Sequence, residues 1–212
     1  MKTVFLCDDD PGVRGALAFL LRQHGFDVRV HSSGPELLHA LDAMADPPRG
    51  VFLLDVRMEP MSGPELHEQL IARGLKDRNP VIFLSGHGDV PLVVAAMSHG
   101  ALTFLEKPFA DDALVDMLDQ ALAREAAWQA QARRDDFLAA LWRGLTPQQG
   151  RVAVLVAAGD LNKLIARKLA ISERMVEVHR ARVFERLGVD SAAAVATTVE
   201  KLRVRGLLEP AG

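Results

Sequence analysis

Three carboxylates, a serine and a lysine each follow directly on a short apolar run. Asp8 and Asp9 come after residues 3–7, Asp55 after 51–54, Ser85 after 80–84 and Lys107 after the run 102–105. Asp8, Asp9 and Asp55 brought into one pocket would repel one another and hold protons unless a cation neutralised them. Oxygen donors of this kind suit Mg²⁺, which takes one or two carboxylates together with waters and phosphate oxygens. Asp55 then reads as an oxygen nucleophile towards a phosphoryl donor, giving an acyl phosphate whose oxygens meet Mg²⁺, the Lys107 ammonium and the Ser85 hydroxyl. A carboxylate nucleophile has no proton to lose, so no histidine base is needed, and His87 reads as a loop residue. Each of these residues alone could be no more than the polar end of a strand; the set is what carries the chemistry.

Such residues can act together only if the elements before them end at one place. Residues 51–54 are apolar throughout and lie between Arg49-Gly50 and Pro60 with Gly63, the pattern of a strand buried on both faces of a parallel sheet. Strands of this kind alternate with helices. Val13, Leu17, Leu20 and Leu21 are spaced helically in 11–24, and 27–31 alternates as a strand. Ser33-Gly34-Pro35 opens a helix with Leu37, Leu38, Leu41 and Met44 on one face, ended by residues 46–48. Further helices are expected over 64–73, over 90–99 with Gly100 closing it, and from Asp111 to at least Arg124. This (βα)5 order predicts a parallel sheet with right-handed crossovers and helices on both faces. In such a sheet the crevice at the carboxyl ends of the strands gathers all five polar residues.

A length of 212 residues suffices for two domains, each with its own core. With 49% hydrophobic and 25% charged residues the composition is that of a globular protein. No apolar run approaches the roughly 18 residues of a membrane span, and Met1-Lys2-Thr3 lacks signal-peptide features, so the expectation is a cytoplasmic protein with no membrane partner. The one cysteine, Cys7, lies inside an apolar strand and reads as a small core residue. Charge is divided unevenly: residues 1–145 hold 14 Lys+Arg against 21 Asp+Glu, whereas 146–212 hold 11 against 7. A basic second part suggests a polyanionic partner.

Residues 1–124 resemble a response-regulator receiver domain of two-component signalling. The resemblance is carried by Cys7-Asp8-Asp9-Asp10 with Val13-Arg14, by Leu54-Asp55-Val56-Arg57-Met58, by Leu84-Ser85-Gly86-His87-Gly88-Asp89-Val90-Pro91, and by Phe104-Leu105-Glu106-Lys107-Pro108-Phe109. It implies a flavodoxin-like α/β fold with strand order 2-1-3-4-5 and phosphorylation of Asp55 by a sensor histidine kinase. It also implies Mg²⁺ held by Asp8, Asp9 and Asp55 with the Arg57 backbone carbonyl, a cis bond before Pro108, and Ser85 with Phe104 as a switch pair. Physically, a hydroxyl drawn to a new phosphoryl group vacates space that a neighbouring aromatic ring can enter. Glu59-Pro60 departs from the Pro-Gly common in relatives and adds negative charge beside the metal position.

Beyond the receiver, residues 111–143 contain neither proline nor glycine, so the last receiver helix is expected to continue as a helical linker over 125–144. Its apolar patches suit a spacer packed on its own domains or a dimer-forming coiled segment, although the heptad lapses around 126–132. Residues 145–212 read as four short helices. Thr146 is a natural N-cap ahead of Pro147, and 162–169, a turn at Ala170-Ile171 and a helix begun by Ser172 form a helix-turn-helix. On the second helix Val176, His179, Val183 and Leu187 share one side, and Arg174, Glu177, Val178, Ala181 and Glu185 share the other. Glu177 can accept from a cytosine amino group, Val178 or Ala181 can touch a thymine methyl, and Arg180, Arg182 and Lys163 suit phosphates. Residues 145–187 resemble the LuxR-type DNA-binding domain, with Gln148-Gln149-Gly150 and Met175 as departures, the latter where Thr is common.

The whole chain therefore resembles a transcriptional regulator of the FixJ/NarL family, not an enzyme. The resemblance implies that phosphorylation of Asp55 promotes homodimer formation and binding to double-stranded promoter DNA. In that family the last helix, here 191–205 with Ala192, Val195, Ala196, Val199 and Leu202 in a stripe, commonly pairs two DNA-binding domains, though such a stripe equally suits packing at home. An alternative is a regulator that binds DNA without phosphorylation, its receiver serving as a dimer platform. An aspartate-nucleophile phosphatase would need an acid two residues after Asp55, where Arg57 stands.

Overall fold

The computed structural model describes residues 2–76, 78–86 and 97–208, and the chain divides into two compact units, Met1–Gln129 and Ala130–Gly212. The first unit is built on β1 (Thr3–Cys7), β2 (Asp27–His31), β3 (Val51–Asp55), β4 (Val81–Ser85) and β5 (Thr103–Glu106), with helices α1 (Pro11–Gln23), α2 (Gly34–Asp42) and α3 (Gly63–Ala72) between them. Helix α4 (Asp111–Arg143) follows without a break. The five strands are parallel in the order β2-β1-β3-β4-β5. His87 and most of the helix expected over 90–99 lie outside the described residues.

Every residue of β1, β3 and β4 is buried, as strands covered on both faces require. Alternation divides them between two cores: Phe5, Cys7, Phe52, Leu54 and Phe83 pack with α2 and α3, and Val4, Leu6, Leu53, Ile82 and Leu84 pack with α1 and the first turns of α4. Each fully buried Leu or Phe contributes about 1.5–3 kcal/mol. Strand β5 is an edge and its residues are only half covered. Helix α2 ends at Asp42, before the residues expected to stop it. The chain there is drawn into a loop: Asn79 Nδ2 donates to the carbonyls of Pro48 and Gly50, both at 3.0 Å. Gly50 adopts φ 136°, where a Cβ would fall 2.3 Å from the Thr3 carbonyl oxygen. Met44 still packs on the core from this loop.

The second unit holds the end of α4 and four helices, α5 (Pro147–Ala157), α6 (Asn162–Leu169), α7 (Glu173–Leu187) and α8 (Ala192–Val204). Thr146 and Gln149 form a capping box for α5, so Gln149, a departure from the family pattern, has a structural role. Ser172 caps α7 and Ser191 caps α8 through their side chains, whereas α6 begins at Leu161 without a side-chain cap. Ala170, in the turn between α6 and α7, is left-handed at φ 52°. Val152, Val156, Ile165, Val176, Val183, Leu187, Val195 and Val199 make the core. Val195 and Val199 thus spend much of the α8 apolar stripe on the unit's own interior.

Candidate functional site

Strand register sets the site. Cys7 is level with Leu54, Asp55 with Leu84 and Ser85 with Glu106, so Asp8, Asp55, Ser85 and Lys107 fall within two residues of each other along the sheet at its carboxyl edge. Lys107 Nζ donates to Asp55 Oδ1 at 2.7 Å and to Asp8 Oδ2 at 3.1 Å, tying together residues 52 and 99 positions apart. Asp8 and Asp55 are buried, and their remaining oxygens are occupied by the backbone: Asp8 Oδ1 accepts from Asp10 N–H at 2.9 Å and Asp55 Oδ2 from Arg57 N–H at 2.8 Å. Ser85, 3% exposed, accepts the Lys107 N–H on its carbonyl at 2.7 Å.

Electrostatics follow from burial and pairing. Burial pushes the Asp55 carboxyl above the usual carboxylate range, Lys107 pulls it back down, and the Asp8 charge adds to the rise. For Lys107 burial opposes the charge, but the hydrogen bond and charge of Asp55, with those of Asp8, prevail and raise its pKa. Burial likewise pushes the Cys7 thiol, helped by the Glu36 and Asp8 charges, up to about 12, which leaves it an inert core residue.

The remaining residues of the set are placed differently. Asp9 is exposed, and its Oδ2 accepts from Glu59 N–H at 3.4 Å, reaching the loop after β3. Asp10 turns to α1 as its N-cap, accepting from Gly12 and Val13 N–H. Phe104 is 41% exposed on β5, so its ring does not fill the interior beside Ser85. The peptide bonds before Pro60 and Pro108 are both cis. Among the described residues no three His, Cys, Asp or Glu side chains converge closely enough to hold a metal by themselves. The donor set nevertheless fits Mg²⁺, which needs only one or two carboxylates and completes its shell with carbonyl and water oxygens. Asp8, Asp9, Asp55 and the Arg57 carbonyl are all hard oxygen donors.

Two contributors were not singled out by sequence. Arg14 Nη1 donates to the carbonyls of Asp8 at 2.7 Å and Asp9 at 3.2 Å, holding the acidic turn from α1. At Gly63 a Cβ would lie 2.2 Å from the Asp55 carbonyl oxygen and 3.1 Å from the Phe83 ring, so only glycine lets α3 start this close to the site. Arg14 sits in a quoted motif and could have been flagged as a cation near three acids; the Gly63 contact is long-range and leaves no local signal.

In the second unit Lys163, Arg174, Met175, Glu177, Val178, Ala181 and Arg182 are exposed, while Val176, Val183 and Leu187 are buried and His179 is half-buried. Arg182 pairs with Glu185 at 2.9 Å, and the half-buried Arg180 guanidinium lies 5.7 Å from the Phe184 ring centroid. The exposed side of α7 thus offers Arg174, Glu177, Val178 and Ala181 on a helix whose other face is fixed in the core. Helix α6, a left-handed turn and α7 are the parts of a helix-turn-helix.

Comparison with known proteins gives concordant matches for both units. Residues 4–119 match the family described as response regulator receiver domain, and residues 143–199 match bacterial regulatory proteins of the luxR family. The chain is 41% identical over 194 residues to the C4-dicarboxylate transport transcriptional regulatory protein DctR of Rhodobacter capsulatus, covering 92% of this chain and 97% of that one. It is 40% identical over 190 residues to the transcriptional regulatory protein FixJ of Rhizobium meliloti, covering 89% and 90%. Among solved structures it is similar to the response regulator StyR, with a TM-score of 0.80 and 40% identity over 94% of this chain and 98% of that one. Full-length FixJ from B. japonicum is similar with a TM-score of 0.58 and 35% identity, covering 98% of each chain.

Proposed function

Because this chain belongs to the two-component response regulators of the FixJ/NarL family, with a receiver domain followed by a LuxR-family DNA-binding domain, we propose that Asp55 is its phosphoacceptor and that phosphorylation promotes dimerisation and promoter binding. The observation that carries the reading is the Lys107 ammonium, 2.7 Å from one Asp55 oxygen and 3.1 Å from Asp8. That lysine is placed to neutralise charge growing on a phosphoryl group as an Asp55 oxygen attacks phosphorus. The donor would be a phosphohistidine of a sensor kinase, whose imidazole leaves as the acyl phosphate forms. Mg²⁺ held by Asp8, Asp9, Asp55 and the Arg57 carbonyl would supply further neutralisation of the phosphoryl oxygens.

Signalling then rests on what Ser85 and Lys107 do once the phosphoryl is present. Both would turn to its oxygens, and Phe104, now 41% exposed, would move into the space beside Ser85. Taking the population from 1:99 to 99:1 needs about 5.5 kcal/mol of differential stabilisation, which several charge-assisted bonds to one dianion can supply. In the second unit Lys163, Arg180 and Arg182 would meet phosphates, while Arg174, Glu177, Val178 and Ala181 would face base edges.

A small phosphodonor such as acetyl phosphate with Mg²⁺ tests the chemical half. Stable incorporation of one phosphoryl group is expected, lost in Asp55→Asn and chelator-sensitive. Equal labelling of Asp55→Asn, or turnover of the donor with no labelled protein, would remove Asp55 from the role.

A further inference from the structure

The end of the sheet opposite the phosphoryl site holds a cavity of about 280 Å³ that none of the chemistry above uses. Pro80, just before β4, and Leu102, just before β5, form apolar wall, and the carboxyl edge lies a strand length away, roughly 16 Å at about 3.3 Å per residue. Lys76 and Arg124 bring two cations to the cavity and Trp128 brings an aromatic ring, with no acidic side chain among its described lining residues.

Arg124 is stacked on an aromatic ring, and the Lys76 stem packs against Gly100. The Arg124 guanidinium stacks over the Trp128 ring, 5.1 Å from its centroid. Gly100 has φ 101°, and a Cβ on it would fall 2.5 Å from Lys76 Cε, so the lysine stem lies where any other residue's side chain would stand. Two like charges facing one small cavity repel each other, and an anion between them relieves that repulsion. The volume is at the lower limit of small-molecule pockets, which excludes a dinucleotide and suits a compact ligand.

We propose that this cavity binds a small organic dianion with a flat apolar body, of the aromatic dicarboxylate class, its charges at Lys76 and Arg124 and its ring against Trp128. The site is joined to the signalling elements through the backbone, since Leu102 N–H donates to the Val81 carbonyl at 2.9 Å and leads directly into β5, which carries Phe104 and ends before Lys107. It is a second input to β5, separate from Asp55.

The test is a titration of the ¹⁵N-labelled full chain with isophthalate, which cannot donate a phosphoryl group. The chain has two tryptophans, so the Trp128 indole N–H signal is identified by comparison with Trp142→Phe. A saturable shift of that signal with half-saturation below about 1 mM is expected, weakened at least about tenfold in Lys76→Met and in Arg124→Met. Binding should be unchanged in Asp55→Asn and weaker for adipate, which keeps both charges without the ring. A shift that fails to saturate, or equal affinity in the wild type and both cation variants, would overturn the site. Equal affinity for adipate would overturn the aromatic class.

Discussion

At Asp55 burial prevails and holds the carboxyl above its usual range, while the hydrogen bond from Lys107 opposes that rise and keeps one oxygen facing the crevice. Burial prevails again at His67 on α3, where it disfavours the charged imidazolium. Its ring lies edge-on to Phe83, its Nε2 is buried without a hydrogen-bond partner among the described residues, and burial, with lesser contributions from His99 and Lys76, pushes its pKa down to about 4. Because the folded value lies below the unfolded one, the unfolded chain takes up a proton that the folded chain refuses. Stability is therefore complete above about pH 6.5 and falls as pH drops towards 4, by on the order of 3 kcal/mol from this residue. Denaturant unfolding of His67→Leu should show a shallower loss over that interval than the wild type; parallel curves would mean that His67 is not the group responsible. Asp8, Asp55 and Lys107 were legible in the sequence because each ends an apolar run. His67 was not, since a histidine on a helix face does not show whether it is covered.

At the scale of elements, the close start of α3 is what fixes the loop after β3. Gly63 N–H donates to the Val56 carbonyl at 3.0 Å, and Ser62 with Glu65 closes the helix end in a capping box. A methyl group at residue 63 would have to displace the Asp55 backbone or the Phe83 ring. Gly63→Ala should therefore cost about 1–3 kcal/mol, by the usual expense of overpacking, and slow phosphorylation by moving Asp55. A thermal midpoint and labelling rate equal to wild type would contradict the close approach. The central strands could be read from their apolar runs, as could the unbroken course of α4 from its lack of proline and glycine. The loop after α2 could not, because it is tied by Asn79, 29 residues from Gly50. For α8, Val195 and Val199 could have faced a partner or the core, and only the packing of α5 and α7 decides for the core.

At the scale of the whole molecule, an acidic first part and a basic second part are consistent with a chain whose two ends meet different partners. Binding through the second unit should weaken with salt, because each phosphate neutralised releases counterions. Removing one phosphate-contacting cation, as in Lys163→Gln, should lower the slope of log affinity against log salt by about 1 without changing sequence preference, as a gel-shift series would show. The two-part organisation was legible from charge and periodicity, while coupling between the parts leaves no trace in composition, since it depends on a population shift. The most direct measurement is the affinity of the full chain for a promoter fragment selected by it, compared with and without phosphodonor and in Asp55→Asn. Tighter binding by at least about tenfold, or about 1.4 kcal/mol, after labelling is predicted, with no change in Asp55→Asn. Equal affinity in all three states would contradict control through Asp55 and leave a regulator that binds DNA constitutively.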